Sequence, residues 1–527
     1  MTRGAQQLLS LLCLAMVLAA SLGASCKRAP DAPAAAPKTP TLRIFVATNV
    51  AGALEPCGCV KDMLGGVDHA AKLKATANSG ASGSLLVGAG PMLFLDPKPK
   101  EQARTQELWK AEALAQSLGD MGLTAWAPGA NDWAAGKEEL DRLRGKTGAA
   151  LLAANVEGQT GTKLVEIAGV KVGLVGVSAP EGGQAPKASD PKKAFDSGLE
   201  QLDAQGAKIK IALLAMPRGA ALRLLEDARG IALAVVGKPV EIGDTNDGTT
   251  PPMLLNGMLV VQTPNHLQKM AIVDLYVRAD DFEFEDGSGI ANAEKRDNLE
   301  RRIEELKQRI EAATSASPED VAKRRADLEK LEAELKSLAN PPTPDKSSFF
   351  RYELKDVREN VGADVSVAGR LKDYYKRVNQ HNQKAFADRK PPPVPAGQSG
   401  YVGIAKCSPC HAEEHRFWQG TPHAVAYKTL ERQDKQFNLD CVECHVTGYE
   451  KPGGSTVTLV SDFKNVQCET CHGPGSRHVD SPSNPDFIQK SPEKSLCAPA
   501  CHHPPHVKEN WSVDEAWKKI IGPGHGK

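Results

Sequence analysis

Cys-x-x-Cys-His occurs three times near the C-terminal end of this 527-residue chain. The copies are Cys407/Cys410/His411, Cys441/Cys444/His445 and Cys468/Cys471/His472. The spacing suits covalent haem: two thiols add to the two vinyl groups as thioethers, and the next His ligates iron from the proximal face. With 12 Cys and 13 His in the chain, chance alone gives about 0.007 such matches, so accident does not compete. Zinc ribbons also use Cys-x-x-Cys, but zinc does not require a His after every pair. A fourth segment, Cys497-Ala-Pro-Ala-Cys501-His502, has three residues between its thiols. Longer loops of this kind serve haem c less often, and the competing reading is a Cys497–Cys501 disulfide or a site without haem. The sequence therefore predicts three haem c groups and a fourth on the divergent motif.

Clustering supports a cofactor module over a disulfide framework, because a framework is spread through the fold it staples. Of the remaining cysteines, Cys13 and Cys26 lie at the N-terminus and Cys57 and Cys59 form a close pair. The start of the chain reads as an export signal over residues 1–25: Arg3, a mostly apolar Leu8 to Leu22, then small residues. Gly23-Ala24-Ser25-Cys26 resembles a bacterial lipoprotein box with its Leu one place early, at Leu22. This predicts acylation of Cys26 and a lipid anchor on the periplasmic or outer-envelope side of a bacterial membrane. The alternative is plain cleavage into the periplasm. Residues 26–40, rich in Ala, Pro and Lys, would be the tether. The 65 Lys and Arg balance 65 Asp and Glu, which gives no reason to expect nucleic acid as a partner.

The length calls for two or three domains. From 41 to 286, short apolar runs alternate with helical stretches. Leu42–Ala47, Ser84–Gly88, Lys171–Val177, Ile209–Leu214 and Ile231–Val236 read as buried strands, and Glu107–Leu118 and Leu199–Ala207 as helices. That alternation argues for an α/β layered domain. Residues 291–340 are highly charged, with Leu299, Ile303, Leu306 and Ile310, then Leu328, Leu331, Leu335 and Leu338, at heptad-like spacing. Ser317-Pro318-Glu319-Asp320 between the runs has an N-cap Ser and Pro at the first helical position. We expect an α-helical coiled-coil hairpin here, with one long solvated helix as the alternative. Residues 347–386 read as a strand and helix connecting the two ends, 387–400 as a Pro-rich linker, and 401–527 as the cofactor module.

Further motifs surround the haem sites. Tyr401-Val402-Gly403, Cys407-Ser-Pro-Cys-His411, Thr421-Pro-His423-Ala424, Cys441-Val-Glu-Cys-His-Val-Thr-Gly448 and Cys468-Glu-Thr-Cys-His-Gly-Pro-Gly-Ser-Arg-His478 resemble the cytochrome c five-five-four family. These are tetrahaem cytochromes linked to hydroxylamine oxidation in nitrifying bacteria. The resemblance implies a mostly α-helical module around closely stacked haems. It also implies that His423 and His478 are distal ligands reaching haems other than their sequence neighbours, with His525 a third candidate. Which His serves which iron is not legible in the sequence, and His415, His503 and His506 are also present.

In residues 41–286, Leu54-Glu-Pro-Cys-Gly-Cys59, Gly65-Gly66-Val67 and the order of strands and loops resemble the calcineurin-like metallophosphatases of the 5′-nucleotidase branch. That resemblance implies two metals held on loops after the strands. The family's Asp-x-His is here Asn49-Val50-Ala51, and Pro91 replaces the next Asp. Gly129-Ala130-Asn131-Asp132 stands for Gly-Asn-His-Asp, and the later His positions are Met216 and Gly237-Lys238-Pro239-Val240. A two-metal site needs several carboxylates and imidazoles, so we expect a degenerate domain without phosphoesterase activity. Cys57 and Cys59 read either as structural cysteines or as a redox-active or metal-binding pair. A bridge across one residue would be strained. His69 and His266 read as ordinary polar residues.

Together these readings predict a multidomain chain: an α/β layered metallophosphatase-like domain, a coiled-coil hairpin and a mostly α multihaem cytochrome c module. Its expected work is electron transfer with redox partner proteins. The alternative is a haem oxidoreductase acting on a small nitrogen or sulfur compound at an open axial position.

Overall fold

The computed structural model describes residues 38–56, 63–180, 184–241, 246–278, 280–311, 317–339, 343–497, 501–502 and 511–522. The readings placed on residues 1–37, including Cys26, and on Cys57, Cys59, His503, His506 and His525 lie outside them.

Continuous apolar strands require a sheet covered on both faces, and two such sheets are present. The first contains β1 (Leu42–Thr48), β2 (Ser84–Gly90), β3 (Leu123–Pro128) and β4 (Ala150–Leu151). The second contains β5 (Thr162–Ile167), β6 (Val170–Ser178), β7 (Ile209–Ala215), β8 (Leu233–Gly237), β9 (Met253–Leu255) and β10 (Met258–Val261). The chain then returns to the first sheet through β11 (Lys269–Tyr276), β12 (Phe284–Asp286) and β13 (Ser348–Asp356). The strand orders are β12-β13-β11-β1-β2-β3-β4 and β5-β6-β7-β8-β10-β9.

Alternation along each strand sorts its side chains between two cores. Ile44, Val46, Leu85 and Val87 of the first sheet meet Leu174, Ile211, Leu213 and Val235 of the second in the layer between them. Phe45, Ala47 and Leu86 point the other way, onto helices α1 (Val67–Ala77), α2 (Arg104–Asp120) and α3 (Lys137–Thr147). Behind the second sheet, Ala212, Leu214 and Val236 pack on α4 (Pro191–Ala204) and α5 (Arg218–Leu225). The result is a four-layer α/β/β/α sandwich.

Two helices, α6 (Ala293–Glu311) and α7 (Pro318–Ala339), are inserted between β12 and β13. Ser317 caps α7: its Oγ accepts from the Asp320 amide at 3.1 Å. The pair lies antiparallel, with Lys295–Glu334 at 2.8 Å and Lys307–Glu332 at 2.9 Å. Both ion pairs are exposed and contribute little.

Residues 347–386 are not a connector. β13 pairs with β11 along its length, from Lys269↔Asp356 to Tyr276↔Phe349. Helix α8 (Val365–Ala385) buries Val367, Leu371, Tyr374 and Val378 in the outer core of the first sheet. The sandwich therefore extends past the helical insertion. Sequence order concealed this, because the two halves of one sheet edge are separated by a charged helix pair.

The C-terminal region is helical and built of short pieces: α9 (Ile404–Cys407), α10 (Ala412–Gln419), α11 (Ala426–Glu431), α12 (Leu439–His445), α13 (Cys468–His472), α14 (Ser476–Asp480) and α15 (Val513–Ile520). Its buried apolar cluster is small: Tyr427, Val442, Val446 and Val460. Among the described residues, no helix is long and apolar enough to cross a membrane.

Leu371→Ala tests the assignment of α8. As a buried core residue, its truncation should cost about 2–5 kcal/mol in a urea titration of the full chain. A connector residue would change stability by about 0.5 kcal/mol or less.

Candidate functional site

Each Cys-His motif begins on a short helical turn. In the first, the amides of Cys410 and His411 return to the Cys407 carbonyl at 3.2 and 3.1 Å. In the fourth, the amides of Cys501 and His502 return to the Cys497 carbonyl at 3.3 and 2.9 Å. In both motifs the His amide closes onto the carbonyl of the first Cys. No disulfide joins Cys497 and Cys501.

The motifs are held together by side chains between them. Thr447 Oγ1 donates to the Asn465 carbonyl at 2.9 Å and accepts from the Gln467 amide at 2.9 Å. Gln467 Oε1 accepts from the Ile404 amide at 2.8 Å, at the start of the helix leading to the first motif. The Cys407 and Cys468 thiols are close enough to influence each other's ionisation, as are those of Cys444 and Cys501. The first motif is therefore paired in space with the third, and the second with the fourth.

Two pairs of imidazoles come together among the motifs. The rings of His411 and His478 have centroids 6.3 Å apart, and those of His423 and His502 6.2 Å apart. Two metal–imidazole bonds of about 2.0–2.1 Å, with about 1.2 Å from each bonding nitrogen to its ring centre, require about 6.4 Å. Each pair is spaced for one iron between its rings. Burial holds the His423 imidazole below its ordinary range, and His502 adds to this, favouring the neutral form a metal needs. His445 Nδ1 donates to the Ala426 carbonyl at 2.6 Å, and His472 Nδ1 to the Gln489 carbonyl at 2.7 Å. Those bonds fix the tautomer that leaves Nε2 for iron. His415 stacks on Trp418, with centroids 5.8 Å apart.

The surrounding surface also fits haem. Phe417, Val425, Leu459, Val479 and Leu496 are exposed large apolar side chains of this region. The four-residue apolar cluster is too small to bury them, and a porphyrin face would cover such groups.

The sandwich grips this module through a buried amide network that no sequence motif announced. Gln106 on α2 accepts from the Asn382 side chain on α8 and from the Leu439 amide, both at 3.0 Å. Its own NH2 donates to Asn438 Oδ1 at 3.2 Å. Asn382 also donates to the Phe437 carbonyl at 2.9 Å. Lys110 bonds Asp440 at 3.0 Å, Lys435 pairs with Glu55, and the Lys435 ammonium sits 4.2 Å from the Tyr375 ring centre. All of these contacts surround the turn that carries Cys441.

The loops singled out in the α/β domain converge at the carboxyl ends of its strands. The His266 amide donates to the Asn49 carbonyl at 2.9 Å, and the Met216 amide to the Gly237 carbonyl at 2.8 Å. Asn131 donates to the Val240 carbonyl at 3.0 Å. A side chain at Gly237 would collide with the Ala89 carbonyl, and one at Gly129 with the Pro91 nitrogen, so backbone packs on backbone there. The Asp132 carboxylate accepts from the amides of Met92 at 2.9 Å, Leu93 at 2.7 Å and Gly129 at 3.1 Å. It serves as a loop clasp. His69 Nδ1 donates to the Gly362 carbonyl at 2.7 Å.

Residues 406–473 match the family described as cytochrome c554 and c-prime. Cytochrome c-554 of Nitrosomonas europaea is 33% identical over 96 residues, which are 15% of this chain and 41% of that protein. The chain thus spans less than half the length of that relative. Among solved structures, a 5′-nucleotidase precursor from Thermus thermophilus aligns with 67% of this chain and 61% of its own, at 15% identity and a TM-score of 0.44. The calcineurin-like phosphoesterase YfkN from Bacillus subtilis aligns with 64% of this chain and 97% of its own, at 13% identity and a TM-score of 0.43.

The clasp makes a testable prediction. Asp132→Ala strands three amides, and at about 1–3 kcal/mol for each left unsatisfied a loss of about 3 kcal/mol or more is expected. Burial is the largest influence on Asp132 and pushes its carboxyl up to about 7, against amide bonds that pull it down. A raised folded value means the folded state holds the proton more tightly. That contribution is complete below the ordinary carboxyl range and is lost as pH rises to about 7. Unfolding midpoints measured from pH 4 to pH 7.5 should fall more steeply for the natural chain than for Asp132→Asn.

Proposed function

We propose, from the premise that residues 406–473 are a cytochrome c554 and c-prime region and so hold haem c, that the protein is an exported multihaem cytochrome passing electrons through three or four haems. The observation that supports this best is the two imidazole pairs, His411/His478 and His423/His502, each with its ring centres at about the separation one iron requires. Haem c, when bound, supplies one-electron transfer at a potential set by its axial ligands and surroundings.

The chain's own residues do the rest. Cys407/Cys410, Cys441/Cys444, Cys468/Cys471 and Cys497/Cys501 are the covalent anchors. His411, His445, His472 and His502 would hold the irons from within their motifs, and His478 and His423 would complete the first and fourth sites. The neighbouring thiols Cys407/Cys468 and Cys444/Cys501 bring attachment points together, which favours transfer between haems. The α/β sandwich is a scaffold that fixes the module's orientation through Gln106, Asn382 and Asn438. Its former catalytic corner is closed by backbone contacts and the Asp132 clasp. Residues 1–25 direct export, Cys26 carries lipid, and the partners are redox proteins at the bacterial envelope.

The intact mass of the mature protein tests this reading. Four covalent haem increments are expected, together with acyl chains on Cys26. A mass without covalent haem would sink the proposal. Carbon monoxide bound by one haem of the reduced protein would instead favour an oxidoreductase of small nitrogen or sulfur compounds. Because the cofactors supply much of this module's core, Cys441→Ala should lower protein yield as well as haem content. Normal accumulation of that variant with native helicity would contradict this account of the core.

A further inference from the structure

Glu469 lies inside the third motif, between Cys468 and Thr470, yet its bonds go to the first haem site. The residue is 2% exposed. Oε1 accepts from the Val402 amide at 3.0 Å and the Gly475 amide at 2.8 Å. Oε2 accepts from the Gly403 amide at 2.8 Å and shares the Val402 amide at 3.1 Å. One carboxylate thus gathers two loops that are far apart in sequence.

Each loop leads to one ligand of the same iron. Gly403 is the N-cap of α9, which ends at Cys407, the first anchor of the motif that carries His411. Gly475 is the N-cap of α14, a five-residue helix that carries His478. The loops also touch directly: the Ser476 amide donates to the Gly400 carbonyl at 3.1 Å, and the Gly400 amide to Ser476 Oγ at 2.9 Å. Gly403 has φ 79°, and a Cβ there would meet the Asp462 carbonyl at 2.7 Å, so that loop has little room to shift. His411 is placed by the covalent bonds of its own motif. His478 has no such tether, and α14 is too short to hold its ring by itself.

We propose that Glu469 is a positioning residue for the first iron: from within the third motif it sets His478 opposite His411. This rests on the reading of those two histidines as axial ligands. A carboxylate suits the task because its two oxygens can accept from all three amides. In Glu469→Gln, one oxygen becomes an NH2 that faces an amide donor. At least one amide then loses its acceptor, and the clasp between Gly403 and Gly475 opens.

The test uses the full-length holoprotein with Glu469→Gln, Glu469→Asp and His478→Ala. Haem count is read by intact mass, spin state by electron paramagnetic resonance, and ligand access by carbon monoxide binding in the reduced protein. His478→Ala should convert one haem to high spin and open it to carbon monoxide. Glu469→Gln should keep the natural haem count and show the same conversion in a fraction of molecules, reversed by millimolar imidazole. Glu469→Asp keeps the charge but shortens the reach, so it should show a smaller fraction. It also provides the reading if the Gln variant does not accumulate. A Glu469 variant with the natural spectrum, alongside a converted His478→Ala, would overturn the positioning role alone. An unchanged His478→Ala would overturn the ligand assignment and the positioning role with it.

Discussion

The imidazoles of His411 and His478 stand 6.3 Å apart, and bringing such side chains together from distant segments is the task around which the C-terminal region is organised. His411 and His478 come from segments separated by much of the module. No regular element spans that separation, so the chain uses short helical turns joined by side chain to backbone bonds. Thr447, Gln467 and Glu469 accept or donate across motif boundaries. Their polar groups are buried because leaving the loop amides unsatisfied would cost more. The apolar core of this region stays small, as a fold that wraps large apolar cofactors requires.

The sandwich follows a different rule. Its strands are apolar on both faces, so each sheet must be covered twice, by its partner sheet and by helices. Ile211 and Leu213 point inward while Ala212 and Leu214 point outward, and neither set can be exposed without losing the domain. The same helices that cover the first sheet also meet the cofactor region. Gln106 lies on α2 and Asn382 on α8, and both helices bury their apolar faces in the sandwich. The orientation of the two parts is therefore set by elements already locked in a core.

Among the described residues, the loops at the carboxyl ends of the strands are joined by backbone contacts and by the buried Asp132 carboxylate. Asp132 accepts from the amides of Met92 and Leu93, after Pro91, and from that of Gly129. This uses one acid for cohesion where several would be needed to hold two metals and activate water.

Local chemistry made much of this legible in the sequence. The Cys-x-x-Cys-His spacing is dictated by thioether formation and iron ligation, so the motifs are readable without a fold. Unbroken apolar runs such as Ile209–Leu214 marked buried strands, and Ser317-Pro318 marked the start of α7. These signals are local because the forces behind them act between near neighbours. The pairing of His411 with His478 and of His423 with His502, the insertion of β13 beside β11, the docking of α8 and the reach of Glu469 into a distant site were decided only by the tertiary structure. Each joins residues far apart in sequence, and such contacts depend on how sheets stack and loops close. No residue type or spacing encodes that by itself.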